Sequence, residues 1–598
     1  MSIFHPGHTP FPSLNTANAR PWPVASPRQT PLRVSDRALI AAVVLTIYMA
    51  LAVLATWPLV RSLRTGILRG TEQVATVPIF DVWTLWWTAD RATHGFARYW
   101  DAPFFYPNAG VFTYSEPQPL TGLLVAPLWG LGASPALVYN MALLGLLVLD
   151  GVCAYRLARA LNVPRPPAIL GGALVITLPY MAKEFGVLPL LALFGMFWTL
   201  EGLVRFGRSS ALGHATWAAV GFVALYLTCE QYALMFAPFA FSAALLALAQ
   251  QRVRPIAMLR LLATAFGAGV TVLLVAWPSL AIHHILGFSR SDLLVQLLSA
   301  QMGDFLTRPA DAWISVPPPS VYDTAGLFPG FAIFTLAVLG TGELWWPAPT
   351  TSRPWIAYLA GSVIVAIFLT LGLNLDVLGW HPFATLRTFV PGFNELRSVF
   401  RFAAITQAML AILATVALGR IYVFIQRVWR PQHISGVIIL VLAPLMVLEN
   451  LALPVPILGM PLSPRTAWTT WLRRQPANTV IAHVPFPSGL NVSDYATESW
   501  RLFAQIDHHK PMVNGYSSNF PPFYARFQLD MASNFPRLRL LCTLGERLGV
   551  TTLVADREWL VRHQTSMATF DTYLHTVYTD SQTHIYRLRL PNKRCAGT

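Results

Sequence analysis

Charge is scarce in this chain. Only 12% of its 598 residues are Asp, Glu, Lys or Arg, about half the share found in soluble domains, while 55% are hydrophobic and the mean hydropathy is +0.50. That deficit excludes a soluble globular protein. Lysine is scarcer still, since Lys183, Lys510 and Lys593 are the only lysines among 42 basic residues. The formal excess of +15 is spread as single arginines between apolar runs and forms no stripe, so it does not imply a nucleic-acid partner. Cytoplasmic flanks of membrane helices account for it. Cysteine is nearly absent: Cys153 and Cys229 lie in apolar runs, Cys542 and Cys595 lie near the C-terminus, and no CxxC or Cys/His spacing marks a metal site. If the C-terminal region is exported, the last two can pair. GxSxG, Walker and dinucleotide-binding glycine motifs are missing, so hydrolase, nucleotide-driven and dinucleotide functions lack support.

What the chain has instead is apolar length. Runs of eighteen or more apolar residues recur through its first three quarters, each about long enough to cross a hydrocarbon core roughly 30 Å thick, and crossing segments must be helical to satisfy their own backbone. Residues 1–37 read as a flexible cytoplasmic tail, with seven prolines before residue 37 and no apolar period. The run at 38–60 is longer than a signal-peptide core and lacks a small-residue cleavage site, which predicts an uncleaved anchor. Further helices are expected near 134–155, 167–181, 186–204, 213–229, 231–249, 259–277, 324–341, 355–373, 402–422 and 434–452, about eleven in all. The arginines of the short loops (Arg156, Arg159, Arg205, Arg252, Arg254, Arg427) place the N-terminus inside. An odd number of crossings then puts everything after 455 outside.

Three outer segments, 61–133, 278–323 and 374–401, are too long to be mere connections. Residues 456–598 alternate strand-like runs ("NTVIAHVPF", "TTLVAD", "THIYRLRL") with helical stretches, as a small extracytoplasmic α/β domain would.

Polar chemistry gathers in the first outer loop, which holds Glu72, Asp81, Asp90, Asp101 and Glu116. Asp81 opens the amphipathic stretch "DVWTLWW", where a carboxylate serves as general base, as ligand of a divalent cation such as Mg or Mn, or simply as a helix cap. Arg397 and Arg401 are spaced i, i+4, so on a helix both guanidinium groups would face one way and could hold a phosphate or pair with Glu395. Lys183, Glu184, Glu230 and Tyr232 fall at tight turns facing the same side. Asp150 lies within a membrane helix nearer the inner side, the position of a packing partner. The histidine pairs His283–His284 and His508–His509 are adjacent and do not converge on one metal.

The ordered set "FDVWTLWW", "WDAPFFYPNAGVFTYSEPQPLTGLLVAPL", "LVYNMALLGLLVLDGVCAYRLARAL", "ITLPYMAKEFG" and "NELRSVFRFAAI" resembles the GT-C membrane glycosyltransferases, among them the YfhO-like and protein O-mannosyltransferase-like groups. The resemblance covers roughly residues 38–455. It implies a GT-C-like arrangement of transmembrane helices and transfer of a sugar from a polyprenyl-phosphate donor to a cell-envelope acceptor at the outer face of the bacterial cytoplasmic membrane. Asp81 matches the acid expected early in the first outer loop, with Glu116 as a second acid. Lys183, Glu184, Glu230, Tyr232, Arg397 and Arg401 would line the substrate side. At "YMAKEFG" a histidine is expected in many relatives, and Lys183 and Glu184 stand there instead. The competing functions are a transporter or flippase of lipid-linked saccharides and a non-catalytic envelope-assembly protein. The missing internal repeat and the gathering of acids at one interface speak against transport.

Overall fold

The computed structural model describes residues 34–70, 75–308, 324–344, 352–428, 433–563, 567–568, 571–590 and 595. Most of the expected N-terminal tail, and Glu72 with it, lies outside the described residues. The chain divides into two units, residues 1–44 and 45–598, and the break falls inside helix α1 (Val34–Ala55).

Seven described helical segments are long and apolar enough to cross a membrane: Ser35–Ala55, Pro135–Ala160, Leu188–Ser209, Glu230–Gln250, Pro255–Leu286, Arg353–Asn374 and Val399–Val428. Four shorter apolar helices accompany them, Pro119–Gly130, Leu212–Thr228, Phe331–Thr341 and Val441–Asn450. The protein is therefore a polytopic α-helical membrane protein with eleven apolar helices among its described residues. The described helices that follow α1 in this part of the chain, these among them, are α2 (Thr76–Thr93), α3 (Pro119–Gly130), α4 (Pro135–Ala160), α5 (Arg165–Ile176), α6 (Pro179–Lys183), α7 (Phe194–Ser209), α8 (Leu212–Thr228), α9 (Glu230–Gln250), α10 (Pro255–Leu286), α11 (Asp292–Leu297), α12 (Phe331–Thr341), α13 (Arg353–Leu371), α14 (Pro382–Phe389), α15 (Ala403–Val428) and α16 (His433–Asn450). Three differ from expectation, one being α10, which runs on to Leu286 beyond the expected 277 and into the segment 278–323 read as a loop. The helix expected over 167–181 stops at Ile176, because Pro179 cannot continue its hydrogen bonding and instead begins α6. The segment 61–133, read as a loop, contains α3, twelve residues that begin at Pro119 behind a left-handed Gln118.

Prolines and caps set the starts of the long helices. Ser134 accepts from the Leu137 N–H at 3.4 Å ahead of Pro135, the first residue of α4. Inside the bundle Asp150 is fully buried, with its carboxylate near the Leu193 and Phe194 backbone at the head of α7.

The long segments do not hang free. Strand β1 (Gly66–Leu68) pairs antiparallel with β2 (Ile457–Gly459), which ties the first loop to the chain leaving α16. Beyond it lie α17 (Ala467–Arg473), α18 (Ala496–His508) and α19 (Tyr524–Asn534). They surround a sheet of β3 (Ile481–Val484), β4 (Thr552–Asp556), β5 (Leu574–Thr579) and β6 (Thr583–Leu588) in the order β3-β4-β6-β5, with β3 and β4 parallel and the rest antiparallel. Cys542 and Cys595 form a disulfide across a Cα separation of 5.8 Å.

Helix α2 is wedged between the bundle and α18. Its Trp83 is fully buried, stacks on Trp87 with ring centroids 5.7 Å apart, meets Phe104 edge-on at 5.2 Å, and donates its indole N–H to the Gln505 side chain of α18 at 3.1 Å. Trp83 and Trp86, which meets His509 at 5.2 Å, make the seam between the first loop and the C-terminal region, with Trp87 stacked behind them. Strand-like hydrogen bonds continue this seam: Phe105 and Tyr106 N–H donate to the Asn514 and Met512 carbonyls, and Met512 N–H returns to Pro103.

Candidate functional site at one end of the bundle

Asp81 projects from α2 and is 3% exposed. The left-handed backbone of Gln118 (φ 47°) turns its amide inward, so that Gln118 Nε2 donates to Asp81 Oδ1 at 2.8 Å, while the Leu188 backbone N–H donates to Oδ2 at 3.0 Å. Burial pushes the Asp81 carboxyl up to about 7 against the pull of these two donors, and the nearby Glu116 adds to the rise.

Glu116, two residues before Gln118, accepts from the Gln231 backbone N–H at 3.3 Å and lies beside the Cys229 thiol. Burial also raises it to about 7, reinforced by Glu230 and opposed by the Arg401 charge. Glu230 opens α9 and accepts from Tyr226 at 3.2 Å. Glu116, Gln118, Glu230, Tyr226, Trp100 and Ser279 line one narrow cleft between the first loop, α8, α9 and α10. Asp81 is not on its wall; it stands behind Gln118.

Behind the cleft is a cationic corner. Arg401 donates to Gln231 Oε1 at 2.8 Å and lies 3.9 Å from a Glu184 carboxylate oxygen. Its guanidinium carbon is 5.8 Å from the centre of the Phe400 ring, and Lys183 Nζ is 5.1 Å from the same ring. Tyr232 donates to Tyr180 at 3.3 Å, and the Tyr180 N–H reaches Gln407 at 3.2 Å. Gln231 joins the two halves, since its N–H serves Glu116 and its side chain serves Arg401.

The structure thus gathers Glu116, Lys183, Glu184, Glu230, Tyr232 and Arg401 at one end of the bundle, with Asp81 adjoining. Arg397 departs from expectation: residues 393–402 form two 3-10 turns separated by extended residues, so Arg397 and Arg401 do not share a helical face. Arg397 neighbours Arg290 instead. Burial and the Arg397 charge lower Arg290 to about 10, and its guanidinium donates to the Ser518 carbonyl at 3.1 Å and hydroxyl at 2.9 Å. Sequence reasoning missed Gln118 and Arg290, read His283 only as one of an adjacent pair and gave Glu395 to the arginines rather than to His283, because each acts through a partner far away in the chain. Among the described residues no group of three or more His, Cys, Asp or Glu side chains comes together to hold a metal ion.

No protein-family model and no curated protein matches the sequence. Solved structures do match. The arabinofuranosyltransferase AftD from Mycobacteria superposes with a TM-score of 0.56 at 17% identity over 94% of this chain. The fold is the GT-C fold. The chain spans 40% of the length of AftD. An oligosaccharyltransferase from Archaeoglobus fulgidus also matches, with a TM-score of 0.45 and 14% identity over 92% of this chain and 74% of that one. Within this fold, the cleft with its two glutamates lies between the first long loop and the Ser279 end of α10, with the Arg401 corner behind it.

Proposed function

We propose that this chain is a membrane glycosyltransferase that moves a sugar from a polyprenyl-phosphate donor to a cell-envelope acceptor at the outer face of the bacterial cytoplasmic membrane. The observation that carries the reading is the juxtaposition, in a GT-C fold, of a cleft walled by Glu116 and Glu230 with the buried guanidinium of Arg401. Transfer needs a base for the acceptor hydroxyl and positive charge for the phosphate that leaves. Glu116 supplies the base on the cleft wall. Asp81, enclosed behind Gln118, holds that wall and takes a proton only when Gln118 turns aside. Arg401, with Arg397 and Arg290 farther along the same rim, faces the phosphate; Lys183, Glu184, Glu230 and Tyr232 shape the sugar site. The disulfide Cys542–Cys595 supports an extracytoplasmic C-terminal region, because disulfides persist in oxidising compartments. A transporter would want several ionisable groups near the midplane, and the acids of this chain gather instead at one end of the bundle.

The test is transfer by the purified protein from a panel of polyprenyl-phosphate sugars to cell-envelope acceptors. Turnover that disappears in Glu116→Gln and falls in Asp81→Asn supports the reading. Movement of intact lipid-linked saccharide across vesicles, without transfer, would replace it with the flippase function.

A further inference from the structure

Helix α10 is the least buried of the seven long helices described. It has 32 residues, and only 6% of its most apolar stretch is buried. Its outer end, however, is fastened. Ser279 donates to the Thr113 carbonyl at 3.3 Å, and His283 Nε2 lies 2.8 Å from the same carbonyl. The other nitrogen, His283 Nδ1, lies 2.6 Å from Glu395 Oε2. Both ring nitrogens therefore face acceptors, an arrangement that a doubly protonated imidazolium satisfies, with Glu395 as counter-ion. Phe288 packs on the His283 ring at 5.1 Å and on Tyr114 at 5.1 Å, and Gly110 leaves room for Ile282 where a Cβ would stand 2.0 Å from its tip.

The two acceptors belong to different loops. Thr113 lies three residues before Glu116, and Glu395 lies six residues before Arg401. A single imidazole thus bridges the loop that bears the cleft acid and the loop that bears the cleft cation. Glu230, the third charged group near by, feels both His283 and Glu395.

We infer that His283 is a positioning residue: with Glu395 it clasps the first loop to the 374–401 segment, and so fixes Glu116 relative to Arg401 for the transfer step. The inference rests on the proposed glycosyltransferase function for its kinetic consequence and on geometry alone for the clasp. A displacement of about 1 Å between reacting groups costs on the order of 100-fold in rate. Loss of the clasp should accordingly lower kcat and leave the donor KM within about 3-fold, since Arg401 keeps Gln231 and Glu184.

The experiment compares wild type, His283→Ala, His283→Gln, Glu395→Gln and the double variant His283→Ala/Glu395→Gln in detergent-purified, full-length protein. Hydrogen–deuterium exchange of residues 105–118 is read in parallel with transfer. Expected are faster exchange of that segment in His283→Ala and in Glu395→Gln, no further increase in the double variant, a kcat lowered about 10- to 100-fold, and partial recovery of both readouts when imidazole is added to His283→Ala. His283→Gln, which still donates to Thr113, should lie between. Unchanged exchange in the single variants, or additive effects in the double variant, overturns the clasp. If wild type transfers no sugar while exchange behaves as expected, the clasp stands and the function assigned to the cleft falls.

Discussion

At the scale of single residues, the two acids are separated by what shields them. Glu116 touches the cleft and Asp81 does not, although both are raised to about 7. A base works only when deprotonated, so turnover should rise with pH through about 7, and Glu116→Gln should remove that limb together with roughly 10²- to 10⁴-fold of rate. A pH profile that is unchanged in Glu116→Gln would deny it the role. Asp81 makes a separate, thermodynamic prediction. Its folded value lies above its ordinary 3.8, so between about pH 4 and 7 the unfolded state holds fewer protons than the folded one, and stability falls as pH rises through that window. Asp81→Asn removes the term, and its thermal midpoint should gain on wild type from pH 4 to 8, with the Gln118 amide flipping to meet the new donor. Equal slopes in the two proteins would contradict the burial assigned to this carboxyl. Arg401→Ala should raise the donor KM roughly 10- to 100-fold, the worth of hydrogen bonds to a charged group, as measured by initial rates against donor concentration.

At the scale of elements, the seam between the first loop and the C-terminal region decides the integrity of the site. Gly515 lies on it: a Cβ there would stand 2.9 Å from ring carbons of both Phe104 and Phe105. Gly515→Ala should destabilise by about 1–3 kcal/mol, visible as a lowered melting midpoint, while Gly213→Ala, which meets nothing within 4 Å, should not. Removal of residues 456–598 should abolish accumulation of the protein altogether, because Trp83, Phe105 and β1 lose their partners. What was legible in the sequence follows the same division. Apolar length and the run of polar residues at helix ends revealed the membrane helices and brought most of the site residues forward. Helix α3 was hidden because twelve residues with prolines at both ends of "PLTGLLVAP" read as loop. The partnership of His283 with Glu395, 112 residues away, leaves no mark in local spacing. Arg397 and Arg401 show the opposite failure: an i, i+4 spacing is informative only on a helix, and Gly392 and the 3-10 turns after it prevent one.

At the scale of the whole molecule, the proposed topology puts the N-terminus in the cytoplasm and residues 456–598 outside. Alkaline phosphatase fused at Thr598 should be active, and a thiol reagent should label Cys542 only after reduction. Activity of a cytoplasm-dependent reporter at that position would reverse the orientation. Helix α10 gives the molecule one more property. Its 32 residues measure about 48 Å along the axis, well beyond a hydrocarbon core of roughly 30 Å, and its sides are apolar and exposed from Leu259 through Leu280. Such a helix meets a mismatch that it relieves by leaning, and the lean depends on the acyl chains around it. Its Ser279–His283 end is pinned beside Thr113, and Arg260 near its other end donates to the Ser210 carbonyl at 2.8 Å, so a lean imposed by a thinner or thicker bilayer becomes a lever acting on the first loop. The rate of this protein in vesicles should therefore pass through an optimum as lipid chain length is varied, and the lipid matrix would act as a mechanical setting of the cleft.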